Sequence, residues 1–322
     1  MSVPGTDEYS PGLAGRAAAA FAASVPERPA DDGLFGPGSV TWRLAGGMTA
    51  PVVGIRALLL QALHPLAMAG VDQHSAWRSD PGARLASTSA YEVTVSFGEV
   101  AAATAAAARV RRIHSSVRGT DPATGRPYAA SDPALLLWVH NALVDSQLAC
   151  TRLYATITPG DADRYVREQV AAAEIIGVPP GLVPASAAGL AAYFDAVRPE
   201  LACTPAAAAA MSYLVDYVGG DGQDSAGRPP GDPLAPSPEE AEMWRDICDA
   251  AIVALPDWAI GLYAGHVPQV REAISRFGDI STESRTAVRQ ALGVLDTLFL
   301  AEPGVLEARQ RIQLRIRAAE RA

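Results

Sequence analysis

Few stretches of this chain alternate apolar and polar residues with the period of two that marks a half-buried strand. Alanine, the best helix former, is abundant instead. Apolar residues make up 49% of the 322-residue sequence and aromatic residues only 6%, so alanine, leucine and valine must fill the core. The pattern predicts an all-α protein in which helices pack on helices.

The sequence reads as one domain preceded by a tail. Residues 1–33 are rich in Ala, Pro, Ser and Gly without a sustained apolar stripe, which indicates a flexible N-terminal tail with at most one short helix, over Leu13–Ala23. Nothing later in the sequence resembles a linker between independent cores. We therefore expect a single domain over residues 34–322, with a mobile surface loop at Gly219–Pro238.

Capping and breaking residues set the expected helix bounds. Ser39 is a candidate N-cap, and Pro65 restarts a helix that Pro51 opens. In the first half we expect helices over Pro51–Leu63, Arg84–Phe97, Glu99–Val117 (ended by Gly119) and from a Ser131 or Asp132 cap to Tyr154. In the second half we expect helices near Asp161–Ile176, Ala185–Val197, Pro205–Val218, Pro238–Ala254, Trp258–Ala264, Ser281–Phe299 and Leu306–Arg321.

Charge and cysteine content exclude several functions. The net charge is −9 and all 26 basic residues are arginine. The sequence therefore does not predict the basic surface that nucleic-acid binding requires. The absence of lysine also excludes a Schiff base and a lysine general base. The three cysteines, Cys150, Cys203 and Cys248, form no CxxC pair, and we expect them to be small buried residues in a reducing compartment.

No segment of the sequence suggests export or a membrane span. The N-terminus carries Asp7 and Glu8 and lacks a basic patch followed by an apolar run. The most apolar window, Ala50–Val71, contains Arg56 and His64, which a lipid-facing helix carries only at a considerable free-energy penalty. We therefore expect a soluble cytoplasmic protein without a transmembrane segment.

The candidate chemistry rests on five histidines, which are His64, His74, His114, His140 and His266. Their spacing gives no HExxH, no ExxH and no i, i+4 histidine pair, and the chain also lacks GxSxG, GxxxxGK and a GxGxxG after a strand. A haem site needs only one strong axial nitrogen and an apolar slot. A single-histidine haem site is therefore compatible with the sequence.

A helical hairpin around Gly98 would assemble such a site. Arg84, Ser87 and Thr88 share one helix face. Arg84 lies 14 residues before Gly98 and His114 lies 16 residues after it, which places them about 21 and about 24 Å from the bend, on opposite sides of a gap. The alternative is one straight helix from Arg84 to Val117, in which Thr88 and His114 are about 39 Å apart. We predict the hairpin.

Four segments resemble the latex-clearing-protein/MpaB-type oxygenase family. They are LLLQALHPLAMAGVDQHS, GARLASTSAYEVTVSFGEV, ARVRRIHSSVRG and YAASDPALLLWVHNALVDS, and the likeness is strongest from Phe35 to Tyr154. The resemblance implies a globin-like helical bundle around a pocket for haem b. It implies that His114 is the proximal iron ligand and that Arg84 and Thr88 are the distal residues.

Other positions are assigned by the same resemblance. His64 and His140 match positions typical of the family, and each is either a contact of a haem propionate or distal pocket or a histidine hydrogen-bonded to a neighbouring helix. Arg111 is a candidate to neutralise a propionate. The rubber-cleaving members have a lysine where this chain has Ser87, and their catalytic glutamate upstream has no counterpart here. We therefore do not expect polyisoprene cleavage.

The expected function is that of a haem b-dependent oxygenase or peroxygenase that acts on a small hydrophobic substrate with O2 or peroxide. A non-catalytic carrier of haem or a lipophilic ligand is the main alternative. A non-haem metal enzyme built from His64, His114 and His140 lacks a carboxylate with ligand spacing. The sequence leaves the oligomeric state open.

Overall fold

The computed structural model describes residues 13–79, 81–219, 238–277, 282–301 and 303–321, and it confirms the all-α fold class. The first helices are α1 Leu13–Ser24, α2 Val40–Ala45, α3 Ala50–Ala62, α4 Pro65–His74, α5 Pro81–Phe97, α6 Val100–Ser116 and α7 Pro133–Tyr154. The later helices are α8 Pro159–Glu168, α9 Val170–Ile176, α10 Ala187–Val197, α11 Pro205–Gly219, α12 Pro238–Val253, α13 Asp257–Ala264, α14 Pro268–Phe277, α15 Thr282–Ala301 and α16 Val305–Ala319. Short 3-10 turns cover Pro180–Leu182 and Arg198–Glu200.

Several helix starts follow directly from capping side chains. The Ser39 hydroxyl accepts a hydrogen bond from the Trp42 amide at 3.1 Å, as predicted. Asp132 caps α7 in the same way through the Ala134 amide. Pro65 opens α4 directly after α3, so the predicted restart of the apolar helix is confirmed.

The central core surrounds α3, which packs against α7 and α12. Arg56 of α3 is 2% exposed and donates to Asp145 Oδ2 at 2.8 Å, to Ser146 Oγ at 2.7 Å and to the Ala254 carbonyl at 2.8 Å. All three guanidinium nitrogens therefore have partners, which offsets the desolvation of a buried cation. Trp138, fully buried on α7, donates its indole N–H to the Gln61 carbonyl at 2.9 Å.

A second core joins the N-terminal residues to the end of α5. Phe21 of α1 and Trp42 of α2 both make edge-to-face contacts with Phe97, and α16 closes the cluster with Ile312, 1% exposed. The helix predicted over Leu13–Ala23 is thus present as α1, within the segment for which the sequence predicts a flexible tail. Residues 1–12 of that segment lie outside the described residues.

The chain reverses direction between α5 and α6, which pack against each other as a hairpin. The Gly98 amide donates to the Thr94 carbonyl at 2.9 Å, and α6 begins at Val100. Residues from the N-terminal segment hold this turn, because Asp31 Oδ1 accepts from the Val100 amide at 3.1 Å and Glu99 Oε1 accepts from the Ala30 amide at 2.7 Å. The predicted hairpin is confirmed, and the single straight helix is excluded.

Helix α6 ends within one residue of the expected position, but the role expected for Gly119 is wrong. The helix ends at Ser116, and Gly119 lies in a short strand rather than at a helix C-terminus. Strands β1 Arg118–Thr120 and β2 Pro127–Ala129 pair antiparallel, with Gly119 opposite Tyr128. A Cβ at Gly119 would lie 2.6 Å from the Tyr128 hydroxyl and 2.8 Å from Gln73 Oε1, so close packing is the reason for this glycine.

The second half departs from the expected helices at two places. The single helix expected over Asp161–Ile176 is two helices, because the chain turns at Gln169, whose side chain donates to Thr41 at 2.9 Å. Helix α14 was not predicted; its Arg276 binds the buried carboxylate of Asp249 with two hydrogen bonds of 2.6 and 2.7 Å. The loop predicted at Gly219–Pro238 lies, over residues 220–237, outside the described residues.

No single helix in the described ranges has the length and apolar character needed to cross a membrane. Two helix pairs reach that length only together, and both are sharply bent, by 104° between α3 and α4 and by 113° between α12 and α13.

The turn between α5 and α6 yields a stability prediction. A Cβ added at Gly98 would lie 2.5 Å from the Thr94 carbonyl oxygen, so Gly98→Ala must displace backbone. We expect this substitution to lower the free energy of unfolding by about 1–3 kcal/mol, measured by denaturant unfolding of the full-length protein.

Gly261→Ala is the matched control, because Gly261 lies on α13 with nothing within 4 Å of its added Cβ. This control should be neutral or stabilising by up to about 1 kcal/mol. Equal effects of the two substitutions would contradict the role assigned to Gly98.

Candidate functional site

The hairpin places Arg84 and His114 at similar distances from the turn, on α5 and α6 respectively. Arg84 lies in the first turn of α5 and His114 in the last turn of α6, so the two residues stand near the open end of the hairpin. Burial, and next the positive charge of Arg84, lower the pKa of the His114 imidazole, so the two side chains lie within electrostatic reach of each other. The central geometric prediction from the sequence therefore agrees with the structure.

His114 has the surroundings of a neutral, unpartnered imidazole. His114 lies 11 residues, or about three helical turns, after Ala103 and therefore on the same face of α6. Ala103 is fully buried, so this face of the helix is turned toward the interior. Burial, and next the charge of Arg84, lower the pKa of His114 below its ordinary value. Its Nδ1 atom is occluded from solvent and has no hydrogen-bond partner among the described residues. The imidazole is therefore uncharged at neutral pH, the form that binds a metal ion.

Arg84 is a half-buried cation without an acidic partner. Its guanidinium donates to Ser75 Oγ at 2.9 Å, and no carboxylate within the described ranges forms an ion pair with it. Burial lowers the pKa of Arg84, although far from enough to discharge a guanidinium at neutral pH. The Arg84 guanidinium is therefore available to stabilise a negatively charged atom of a bound ligand.

Arg84, Ser87 and Thr88 line a common cleft. The Thr88 hydroxyl donates to the Arg84 carbonyl at 3.0 Å, one turn back along α5. The cleft has a volume of about 380 Å³ and opens to solvent between the end of α4 and the start of α5. Its lining consists of His74, Ser75, Ala76, Ala83, Arg84, Ser87 and Thr88.

His64 and His140 lie on other elements and make no hydrogen bond to His114 or Arg84 in the described part of the chain. His64 precedes α4, is 5% exposed and packs against Trp138, with ring centroids 5.8 Å apart. Burial lowers the pKa of His64 and lowers that of His140, on α7, to about 4. Of the two alternatives for His140, a hydrogen bond to a neighbouring helix is not formed by Nε2, which is occluded from solvent and has no partner among the described residues.

Arg111 and His74 are engaged in structural contacts. The exposed Arg111 guanidinium donates to the carbonyl of Ile175 in the last turn of α9. The Nε2 atom of His74 lies 3.1 Å from both the Arg118 carbonyl and the Tyr128 hydroxyl. Asp72, two residues earlier, pairs with Arg78. His266 is exposed.

Glu92 lies one turn after Thr88 on α5 but does not line the cleft. Burial raises the pKa of its carboxyl to about 7.

Comparison with known proteins defines the class of the chain. The match is to a family of oxygenase catalytic domains, which are oxidoreductases. The family model that matches is described as ER-bound oxygenase mpaB/B'/Rubber oxygenase, catalytic domain, and it covers residues 42–295. Because the match spans well over half of the chain, the protein belongs to this family, as the resemblance implied. No curated protein and no solved structure matches it significantly.

The pairing of Arg84 with His114 can be measured by titration. Since the charge of Arg84 lowers the pKa of His114, we expect Arg84→Gln to raise it, while burial keeps it below its ordinary value. Histidine titration by NMR is the measurement. Arg112→Gln, which removes an exposed arginine of the same helix, is the control, and an unchanged His114 titration in Arg84→Gln would contradict the geometry.

The buried His140 predicts a loss of stability in acid. The unfolded chain takes up this proton near pH 6.5, whereas the folded protein does so only near pH 4. The unfolded state therefore binds more protons between these values, and the free energy of unfolding falls as the pH is lowered through that window, by about 3 kcal/mol.

We expect His140→Leu to remove this contribution, measured by denaturant unfolding at a series of pH values. His266→Leu, at an exposed histidine, is the control. A pH profile of His140→Leu that parallels the wild type would contradict the assignment.

Proposed function

We propose that this protein is a haem b-dependent oxygenase or peroxygenase for a small hydrophobic substrate. Membership of an oxygenase family supports the reaction class. The observation that carries the cofactor proposal is the neutral, unpartnered imidazole of His114, which lies within electrostatic reach of the unpaired cation of Arg84. The globin-like arrangement implied by the family resemblance is part of the same proposal.

The residues present fit a cofactor that is held by one axial nitrogen. His114 offers an imidazole that is neutral at physiological pH and free of competing hydrogen bonds at Nδ1. Within the described ranges, no three His, Cys, Asp or Glu side chains are grouped so that they could hold a metal ion directly. That finding gives no support to a centre built from His64, His114 and His140, whereas a haem requires only one of them.

Haem b, when bound, supplies the oxygen chemistry, and the protein residues control charge and access. The Arg84 guanidinium stabilises negative charge that develops on an oxygen atom of the oxidant or substrate, with greater effect because it is partly desolvated. The Thr88 hydroxyl, which now donates to the Arg84 carbonyl, has the reach to reorient toward the same oxygen. Ser75 holds the guanidinium in place.

The cleft beside Arg84 supports the proposal of a small substrate. Its volume of about 380 Å³ falls at the lower end of the range typical of small-molecule sites. Ala76 and Ala83 contribute apolar surface beside the hydroxyls of Ser75, Ser87 and Thr88. Ser87 replaces the lysine of the rubber-cleaving members, so polyisoprene is not the substrate that we propose.

Haemin titration of the full-length protein tests the cofactor. We expect a Soret band that saturates with one equivalent of haemin, its loss in His114→Ala and its retention in His266→Ala, which removes an exposed histidine. A Soret band that His114→Ala leaves unchanged, or none in the wild type, would overturn the proposal.

A second measurement separates an enzyme from a carrier. We expect Arg84→Gln to keep the Soret band and to lower peroxide- or O2-dependent turnover of an apolar probe by about 10²–10³-fold, the usual effect of removing one charge-stabilising donor. A protein that binds haemin but consumes no oxidant with any apolar probe is a carrier of haem.

A further inference from the structure

His74 lines the cleft beside Arg84, but the chemistry proposed above does not use it. It is the last residue of α4, and its imidazole meets the ring of Tyr128 edge to face, with centroids 6.2 Å apart. The His74 Nε2 atom lies 3.1 Å from the Arg118 carbonyl oxygen and also 3.1 Å from the Tyr128 hydroxyl oxygen. Residues of both strands therefore hold one edge of the imidazole in place.

The contact with Arg118 determines which ring nitrogen carries the proton. A backbone carbonyl oxygen can only accept a hydrogen bond, so Nε2 of His74 must be the donor. A neutral imidazole has one N–H group and one unprotonated nitrogen. In the neutral ring of His74 the proton is therefore on Nε2, and Nδ1 carries a lone pair that can accept a hydrogen bond.

The hydrogen bonds around Tyr128 support the same assignment. The side-chain amide of Gln73 donates from Nε2 to the Thr120 carbonyl at 3.0 Å, which turns its Oε1 atom toward Tyr128. The Tyr128 hydroxyl donates to that oxygen at 2.8 Å, and its other described acceptor, the Ala69 carbonyl, is 3.5 Å away. Since the tyrosine proton is used there, the hydroxyl can only accept from His74.

Gly119 provides the space that this network needs. A Cβ at this position would lie 2.6 Å from the Tyr128 hydroxyl oxygen and 2.8 Å from Gln73 Oε1. A larger residue would therefore displace the two groups that fix the tyrosine proton. The position of the proton on His74 is thus set by a close-packed arrangement of α4 with both strands.

Nδ1 of His74 is the ring nitrogen left for a molecule in the cleft. It forms no hydrogen bond within the described ranges, whereas the strands occupy Nε2. The other polar side chains that line the cleft can all donate, since the Arg84 guanidinium is a donor only and the serine and threonine hydroxyls each carry a proton. Among the described residues of the cleft, His74 is thus the one side chain that offers a ligand an acceptor atom without a proton of its own.

We infer that His74 Nδ1 accepts a hydrogen bond from a hydroxyl group of the substrate, and that the substrate is an apolar alcohol or phenol. The inference rests on the proposed function. Ala76 and Ala83 of the cleft suit the apolar part of such a molecule. An ammonium group is a poorer donor for this site, because Arg84 places a positive charge in the same cleft. His74 acts here in binding and orientation, and no covalent bond to it is formed or broken.

The first test needs neither haem nor substrate. In the full-length protein labelled with 15N at the histidines, we expect NMR to show the neutral ring of His74 protonated at Nε2 and unprotonated at Nδ1. Its signals are assigned by their loss in His74→Gln. A neutral ring that is protonated at Nδ1 would overturn the inference.

The second test compares thymol, an apolar phenol, with its methyl ether, which lacks only the hydroxyl proton. By calorimetry on the haemin-loaded protein, we expect the wild type to bind thymol about tenfold more tightly, the usual effect of one neutral hydrogen bond. His74→Gln, whose amide reaches the position of Nε2 and can still donate to Arg118, should bind both compounds equally. His74→Asn, whose carbonyl oxygen reaches the position of Nδ1, should retain part of the preference.

His266→Gln, at an exposed histidine, is the matched control and should keep the full preference for thymol. If His74→Gln does not fold, His74→Asn serves for the assignment, and the preference of the wild type remains the test. Equal binding of the two compounds by the wild type, or a preference that persists in His74→Gln, overturns the inference but leaves haemin binding and the proposed function intact. A wild type that binds no haemin overturns the proposed function, and the 15N spectrum still reports the tautomer of His74.

Discussion

The reversal of the chain at Gly98 is the constraint on which the candidate site depends. Without it, Arg84 and His114 would stand at opposite ends of one rod. The turn is held from outside by residues that precede the domain core, since the backbone of Gly33 approaches Gly98 so closely that a Cβ at Gly33 would lie 2.4 Å from the Gly98 carbonyl oxygen. Ala30 and Asp31 add hydrogen bonds to the first residues of α6 and its cap. The geometry of the site is therefore set at the end of the hairpin farthest from it.

Desolvation, rather than ion pairing, dominates the electrostatics inside the fold. Burial is the largest cause of the lowered pKa values of His114, His64 and His140 and of the raised pKa of Glu92. The strong ion pairs lie elsewhere, at Arg56 with Asp145 and at Arg276 with Asp249. Functional sites often keep charged and titratable groups unpaired so that a ligand completes them. The contrast between satisfied structural arginines and an unsatisfied Arg84 is the reason to place chemistry at the open end of the hairpin.

Local sequence signals predicted the parts of the fold that local physics controls. Ser39, Asp132, Pro65 and Gly98 act through their own backbone or that of the next turn, so their effects could be predicted. The same holds for the level of Arg84 and His114, which follows from the helical rise once the turn is assumed. Family resemblance added the chemical roles, which no spacing rule supplies.

The errors arose where distant residues decide the local structure. Gly119 is needed because Tyr128 and Gln73 pack against it, not because a helix ends there. His74 contacts the Arg118 carbonyl and the Tyr128 hydroxyl in the two strands, which the sequence did not predict. Each of these contacts joins positions far apart in sequence, and a pattern read along one helix does not contain them.

The bonds of Arg56 tie the two halves of the chain into one cooperative unit. Its partners lie 89, 90 and 198 residues further along the sequence, so α3 cannot satisfy its buried charge until α7 and the end of α12 are both in place. Local opening at the end of α12 would leave the buried Nε of Arg56 without its acceptor, which adds to the free-energy cost of such opening. Helices that contribute no residue to the candidate site thus govern how long its geometry persists. The family model accordingly covers residues 42–295, far more of the chain than the few residues of the candidate site.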